Sequence, residues 1–204
     1  MTHSLQKFFL TGFIILTLFI IIFFTPFIEN TNNTIEILEF ELYDSGFIWP
    51  APGYMKINSY FGKRTAPTKG ASTYHKGIDI GAPEGSKLVA IADGIISYTG
   101  FLGGGGYTIT LTHEDLKITY CHTDPNFFVS VGDTVSQGQV IGLVGPKYIT
   151  GVKNNQYKDS SGRPTNGATT GPHLHFGVRK NDSYIDPLSL YVKKEESNDS
   201  SNNI

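Results

Sequence analysis

The chain has 204 residues, a net charge of −2 and nearly balanced acidic and basic residues, 18 against 16. That length holds one domain with a sizeable core plus appendages, and the charge balance leaves no basic stripe for nucleic-acid phosphates. Its 23 glycines and 13% aromatic content suit a turn-rich β protein rather than a helical one.

Residues 8–28 carry no charge and are rich in Phe, Ile and Leu. At about 1.5 Å per residue the segment reaches roughly 30 Å, the hydrocarbon thickness of a bilayer. A secretory signal has a shorter apolar stretch and ends in small residues, which Phe23-Phe24-Thr25-Pro26-Phe27-Ile28 does not offer. The segment reads as a retained transmembrane helix, with signal cleavage and secretion as the alternative. Lys7 precedes it, which assigns residues 1–7 to the cytoplasm and the bulk of the chain to the outside. The expected location is therefore the cell membrane, crossed once.

Residues 29–48 are rich in Asn, Thr and Glu and have few apolar anchors before Phe47-Ile48-Trp49-Pro50. They read as an extracytoplasmic stalk of at most about 70 Å, unless residues 35–42 form a short helix or strand against the domain. The folded domain is expected at 49–192. Within it, short apolar runs alternate with turn signals at residues 88–98, 107–111, 116–120, 133–144 and 173–179. This regular spacing predicts an all-β sheet or barrel-like sandwich. Gly103-Gly104-Gly105-Gly106 lacks the Gly-Lys-Ser/Thr ending of a phosphate loop and reads as a hairpin connection beside a cleft.

Residues 147–171 show little hydrophobic pattern, and a loop this long inside a domain is usually functional or disordered. It runs into Gly171-Pro172-His173, so it is expected to wall an active-site cleft, with Tyr148 and Tyr157 as contact residues. Residues 193–204 read as a disordered tail. Cys121 is the one cysteine, which excludes an intramolecular disulfide. Strand alternation over residues 116–120 is expected to turn Cys121 and His122 to opposite faces, making the thiol a buried small residue rather than a nucleophile.

The chemistry lies in the histidines. His173 and His175 are two apart at the head of an alternating run, so in a strand they project to one face. His75 and Asp79 bracket Lys76-Gly77-Ile78 nearly a hundred residues earlier. Imidazole nitrogen and carboxylate oxygen are zinc donors, and a hydrolytic zinc site uses three protein ligands with the fourth position open. His3 and His113 read as solvent-facing bystanders.

His75-Lys76-Gly77-Ile78-Asp79, Tyr120-Cys121-His122 and Gly171-Pro172-His173-Leu174-His175-Phe176 occur in this order. Tyr60-Phe61-Gly62-Lys63-Arg64, Gly81-Ala82-Pro83-Glu84-Gly85, Val131-Gly132-Asp133-Thr134-Val135 and Gln137-Gly138-Gln139-Val140-Ile141-Gly142 accompany them. Together, from about residue 57 to 188, the chain resembles the lysostaphin/LytM-type zinc endopeptidases, which cut peptidoglycan peptides. The resemblance implies an antiparallel sheet sandwich with an open active-site groove. It implies Zn²⁺ on His75, Asp79 and His175, with His122 and His173 as unligated catalytic histidines, and a peptidoglycan peptide as substrate. Family members cut glycine-rich bridges or bonds of the stem peptide. One departure is Thr123, where a leucine usually follows the middle histidine. The alternative is a catalytically inactive LytM-like scaffold or regulator of wall hydrolysis. Degenerate members lose ligands, whereas this chain keeps all three with both catalytic histidines.

Overall fold

The computed structural model describes residues 46–68 and 71–191. The expected cytoplasmic terminus, the membrane helix at 8–28, most of the stalk and the tail at 193–204 lie outside the described residues. Among the described residues no helix is long and apolar enough to cross a membrane.

The described chain is almost entirely strand and turn. In order the strands are β1 (Ile57–Ser59), β2 (Gly62–Lys63), β3 (Tyr74–His75), β4 (Ile78–Ile80), β5 (Lys87–Val89) and β6 (Gly94–Phe101). They continue with β7 (Tyr107–His113), β8 (Leu116–Cys121), β9 (Thr134–Val135), β10 (Val140–Leu143), β11 (Leu174–Lys180) and β12 (Ser183–Ile185). Helical geometry is confined, among the described residues, to 3-10 turns at Gly103–Gly105 and Pro187–Leu190.

Eight strands form one sheet in the order β1-β4-β11-β8-β7-β6-β9, with β12 beside β11. Every pairing in it is antiparallel. The all-β expectation holds, but the second layer of the expected sandwich is slight. It is the two-stranded β5–β10 ladder, whose Leu88, Val89 and Ile141 join the same core as the large sheet. The Ile91 backbone N–H donates to the buried Tyr120 hydroxyl at 3.1 Å and ties the two layers together.

The period of two decides what faces where. Ile78 and Ile80 of β4, Leu174, Phe176 and Val178 of β11, Ile118 and Tyr120 of β8, and Ile109 and Leu111 of β7 all fill the core. Between them, on the opposite face, Ser59, Asp79, His175, Cys121 and Thr108 are register partners across five adjacent strands. Burying each large apolar side chain contributes about 1.5–3 kcal/mol, so the core pins this register. A slip of one residue would drive Asp79 and His175 inward.

The domain begins slightly earlier than expected. The Ile48 side chain is buried, its N–H donates to Ile91 O at 3.2 Å, and Phe47 packs edge-on against His113. At the other end Tyr191 Oη donates to Ile48 O at 3.1 Å, so both ends of the domain are stitched together. His113 is therefore not a free surface group; its Nδ1 also sits 2.7 Å from Asp93 O. β11 and β12 are joined by Asn181-Asp182, both at positive φ, the two-residue turn whose twist matches a hairpin.

Candidate metal centre and groove

Asp79 and His175 are register partners on β4 and β11 and point to the same face. His75, four residues before Asp79, comes in from the β2–β3 ladder. Three donor atoms then close a triangle. His75 Nε2 lies 3.0 Å from Asp79 Oδ1, His175 Nδ1 lies 2.9 Å from the same oxygen, and the two nitrogens are 2.9 Å apart. The chain at Gly77 runs under the His175 ring. A Cβ there would meet Phe176 O at 2.4 Å and the imidazole at 3.0 Å, so a side chain would displace the His175 ring.

The histidine tautomers follow from their backbone partners, because a carbonyl can only accept. Tyr60 O lies 2.9 Å from His75 Nδ1, Asn166 O lies 2.7 Å from His122 Nδ1, and Gly171 O lies 2.9 Å from His173 Nδ1. Each neutral ring thus carries its proton on Nδ1 and presents a bare Nε2. For His75 that bare nitrogen faces the Asp79 oxygen, lone pair to lone pair, and the single proton that neutral His175 could place on Nδ1 cannot satisfy all three edges. A shared cation resolves the conflict. Two imidazoles and a carboxylate in this arrangement fit zinc, with carbonyl-held Nδ1–H as the usual outer support.

Side-chain exposure rises from 1% at His75 and 13% at Asp79 to 15% at His173 and 22% at His175, so the centre opens on the side of the last two. His173 Nε2 lies 3.6 Å from Asp79 Oδ1. The His122 ring centroid is 4.7 Å from that of His173 and 6.3 Å from that of His175. All five residues singled out in the sequence therefore meet, at the floor of a groove of about 800 Å³.

Burial alone would raise the Asp79 carboxyl, but the close imidazoles of His173, His175 and His75 outweigh it and hold the group well below the usual carboxylate range. Burial, reinforced by the neighbouring His173 and His175, pushes His122 from 6.5 down to about 3. Burial also lowers His175. The Cys121 thiol is pushed up to about 12, chiefly by burial, which leaves it protonated and inert as a nucleophile.

Cys121 and His122 do not face opposite sides as alternation predicted; both line the groove. The reason is backbone geometry: His122 has φ +59, a left-handed conformation that breaks the strand at its end and swings the imidazole back. Asn166, which sequence reading missed, fixes that turn. It is fully buried, its Oδ1 accepts from Tyr107 N at 2.8 Å, its Nδ2 donates to Thr123 O at 2.9 Å, and its carbonyl holds His122. At Gly106 (φ +65) a Cβ would sit 2.3 Å from the Asn166 amide oxygen, so the glycine run exists partly to admit this side chain. Thr123, the departure from the resemblance, is buried, and among the described residues its hydroxyl finds no hydrogen-bond partner.

Arg64 was quoted as part of a motif without a role. Its Nη1 donates to Asp79 Oδ2 at 2.9 Å and to Ser59 Oγ at 2.7 Å, which turns the other carboxylate oxygen toward the histidines. The segment at 147–170 does reach the groove, but through Ala168 and Thr170. Tyr148 and Tyr157 are not among the lining residues. Tyr148 is held by Asp159, Arg163 and Lys147, and Tyr157 lies against Gly104.

This constellation is a two-histidine, one-carboxylate donor set that could hold a metal ion, and comparison with known proteins places the chain. Residues 73–187 match the model of peptidase family M23, and the chain belongs to that family. It is 33% identical over 144 residues to the DD-carboxypeptidase/endopeptidase Mpg of Neisseria meningitidis, covering 70% of this chain and 29% of that protein. It is 27% identical over 146 residues to the peptidoglycan DD-endopeptidase ShyC of Vibrio cholerae, covering 71% of this chain and 29% of that one. The chain thus spans about three-tenths of the length of these relatives. The catalytic domain of the antimicrobial peptidase lysostaphin from Staphylococcus simulans superposes with a TM-score of 0.52 at 28% identity, over 68% of this chain and 92% of that one. A zinc-containing peptidase from Vibrio cholerae shares the fold, with a TM-score of 0.55 at 24% identity over 76% of this chain and 46% of that one.

The depressed His122 gives a pH prediction. Its folded value lies below 6.5, so the unfolded chain binds the proton first, and stability present above pH 6.5 is lost as pH falls toward 3. In metal-free protein the urea midpoint should drop between pH 7 and 4.5, with a slope of up to about 1.4 kcal/mol per pH unit for each such histidine. His122→Asn should flatten that slope. An unchanged slope in the variant would show that His122 titrates normally in the fold.

Proposed function

We propose that this chain is a membrane-anchored, extracytoplasmic zinc metalloendopeptidase that hydrolyses amide bonds in peptidoglycan peptides or cross-bridges. The observation that carries the reading is the three-donor triangle of His75, Asp79 and His175, with two carbonyl-locked imidazoles beside it in an open groove. The named activities of Mpg and ShyC agree with it.

His75 Nε2, Asp79 Oδ1 and His175 Nδ1 would hold the zinc. When bound, it supplies Lewis acidity toward the amide carbonyl and activates water near neutral pH. The chain's own residues do the rest. Asp79, oriented by Arg64, keeps its charge on the histidine side. His122 and His173 each present a bare Nε2, so in the resting state both accept a proton and neither donates one there. His122, pushed down to about 3, is a poor base at neutral pH. His173 is partly open at the groove with Nε2 bare, so it can accept the proton of the attacking water and, once protonated, donate to the leaving amine. His122 borders the reacting atoms and orients them through Nε2.

The test is paired. Purified protein should carry about one zinc per chain. Asp79→Ala or His175→Ala should lose metal and activity together, since two remaining donors hold zinc poorly. His122→Ala and His173→Ala should retain the metal while turnover of wall peptides falls by about 10²–10⁴. Loss of zinc from His122→Ala with retention in Asp79→Ala would overturn the assignment.

The anchor rests on residues 8–28, whose apolar length matches a bilayer and which end without a cleavage site. Full-length protein should sediment with membranes and resist carbonate extraction, with the domain open to external protease in wall-stripped cells. Recovery of a soluble form starting near residue 29 would contradict it.

A further inference from the structure

The groove continues past the metal centre along β11. His175, Gly177 and Arg179 share one face of that strand, and at about 3.3 Å per residue Arg179 lies roughly 13 Å from His175. Gly177 leaves the floor between them without a side chain. The hairpin turn returns Tyr184 opposite Arg179 as its register partner. Lys76 approaches the same ring from the β3–β4 connection. Its Nζ lies 4.8 Å and the Arg179 Cζ 5.6 Å from the centroid of Tyr184, which is 43% exposed. All three residues line the groove.

The charge balance of this end is one-sided. Among the described residues the ionic side chains lining the groove, apart from the histidines, are Arg64, Lys76, Arg179 and Asp79. Arg64 is paired with Asp79, whose other oxygen faces the histidines. Among the described residues no carboxylate forms an ion pair with Lys76 or Arg179, and Asp182, which Arg179 feels at longer range, is engaged by Lys117 at 2.8 Å, so two cations flank one exposed aromatic face. An anionic ligand group completes that arrangement. A neutral oligoglycine would leave both charges unused.

We propose that Lys76, Arg179 and Tyr184 form a carboxylate-binding subsite. The substrate is then a peptide carrying a free carboxylate roughly 13 Å along the groove from the scissile amide, rather than a neutral glycine bridge. The carboxylate accepts charge-assisted hydrogen bonds from Lys76 and Arg179 while the adjoining chain packs on the Tyr184 ring. This rests on the endopeptidase reading above and narrows its substrate class. The same chemistry is offered by a chain-terminal carboxylate and by a side-chain carboxylate.

The test uses full-length, zinc-loaded protein and three versions of one cross-linked stem peptide: all carboxylates free, the terminal one amidated, or the side-chain ones amidated. Cleavage is followed by mass spectrometry and binding by calorimetry, so affinity is read without turnover. Wild type should favour the free peptide over one amidated form by at least about tenfold in kcat/KM and in affinity. The form that loses identifies which carboxylate is bound. Arg179→Gln and Lys76→Gln should abolish the preference with zinc content unchanged, acting on KM rather than kcat, and Arg179→Glu should reverse it. Equal binding of all three peptides by wild type, or a preference that survives both neutral variants, overturns the subsite. Binding with the expected preference but no cleavage by zinc-replete enzyme overturns the endopeptidase reading and leaves the subsite standing.

Discussion

One carboxylate oxygen, Asp79 Oδ1, organises the centre. It lies within 3.0 Å of His75 and His175 and 3.6 Å of His173, while Arg64 holds its partner oxygen at 2.9 Å. Three imidazoles around one acidic oxygen make sense only if their protons are rationed. Backbone carbonyls do this for His75, His122 and His173 by fixing the proton on Nδ1. The lone pairs left facing one another are a donor set for a cation. The same locks turn the two remaining histidines into proton acceptors.

The sheet makes that arrangement affordable. Apolar residues at alternate positions of β4, β7, β8 and β11 fill the core, and the residues between them form the floor of the groove. Core burial therefore fixes the positions of Asp79 and His175 on β4 and β11. Two features break the alternation. His122 adopts a left-handed backbone, held by the buried Asn166, and Gly77 removes a side chain where the His175 ring must lie. These two departures sit within the centre, where local cost is offset by chemistry.

The clustering of these side chains was legible in the sequence because short spacings report geometry directly, while the resemblance alone implied which of them hold a metal. His173 and His175 share a face by strand period, and His75 and Asp79 flank a glycine. The strands were legible for the same reason, since one face of each is buried. The roles of Asn166 and Arg64 were not. Asn166 sits in a polar stretch where Asn usually signals a turn, and its function depends on contacts 43 and 59 residues away. Arg64 acts on a carboxylate 15 residues on, through a tertiary contact that no local period encodes. The tyrosines of the 147–170 loop misled because aromatic character says nothing of direction; Tyr148 is engaged by the loop's own Arg163 and Asp159. The Cys121–His122 facing failed because alternation assumes a strand that continues, and this one ends at Cys121.

The central claim is that carbonyl-locked tautomers leave three donors aimed at one cation, with His122 and His173 beside it as bare acceptors. Long-range proton–nitrogen correlation spectra of the histidine rings test this most directly, recorded on the metal-free domain and again after zinc is added. The account predicts the Nδ1–H tautomer for His75, His122 and His173 before metal. On zinc addition His75 Nε2 and His175 Nδ1 should move to metal-bound shifts, while His122 and His173 keep unligated Nε2. Zinc-bound shifts on His122 or His173, or an Nε2–H tautomer at His75 in the metal-free protein, would contradict it.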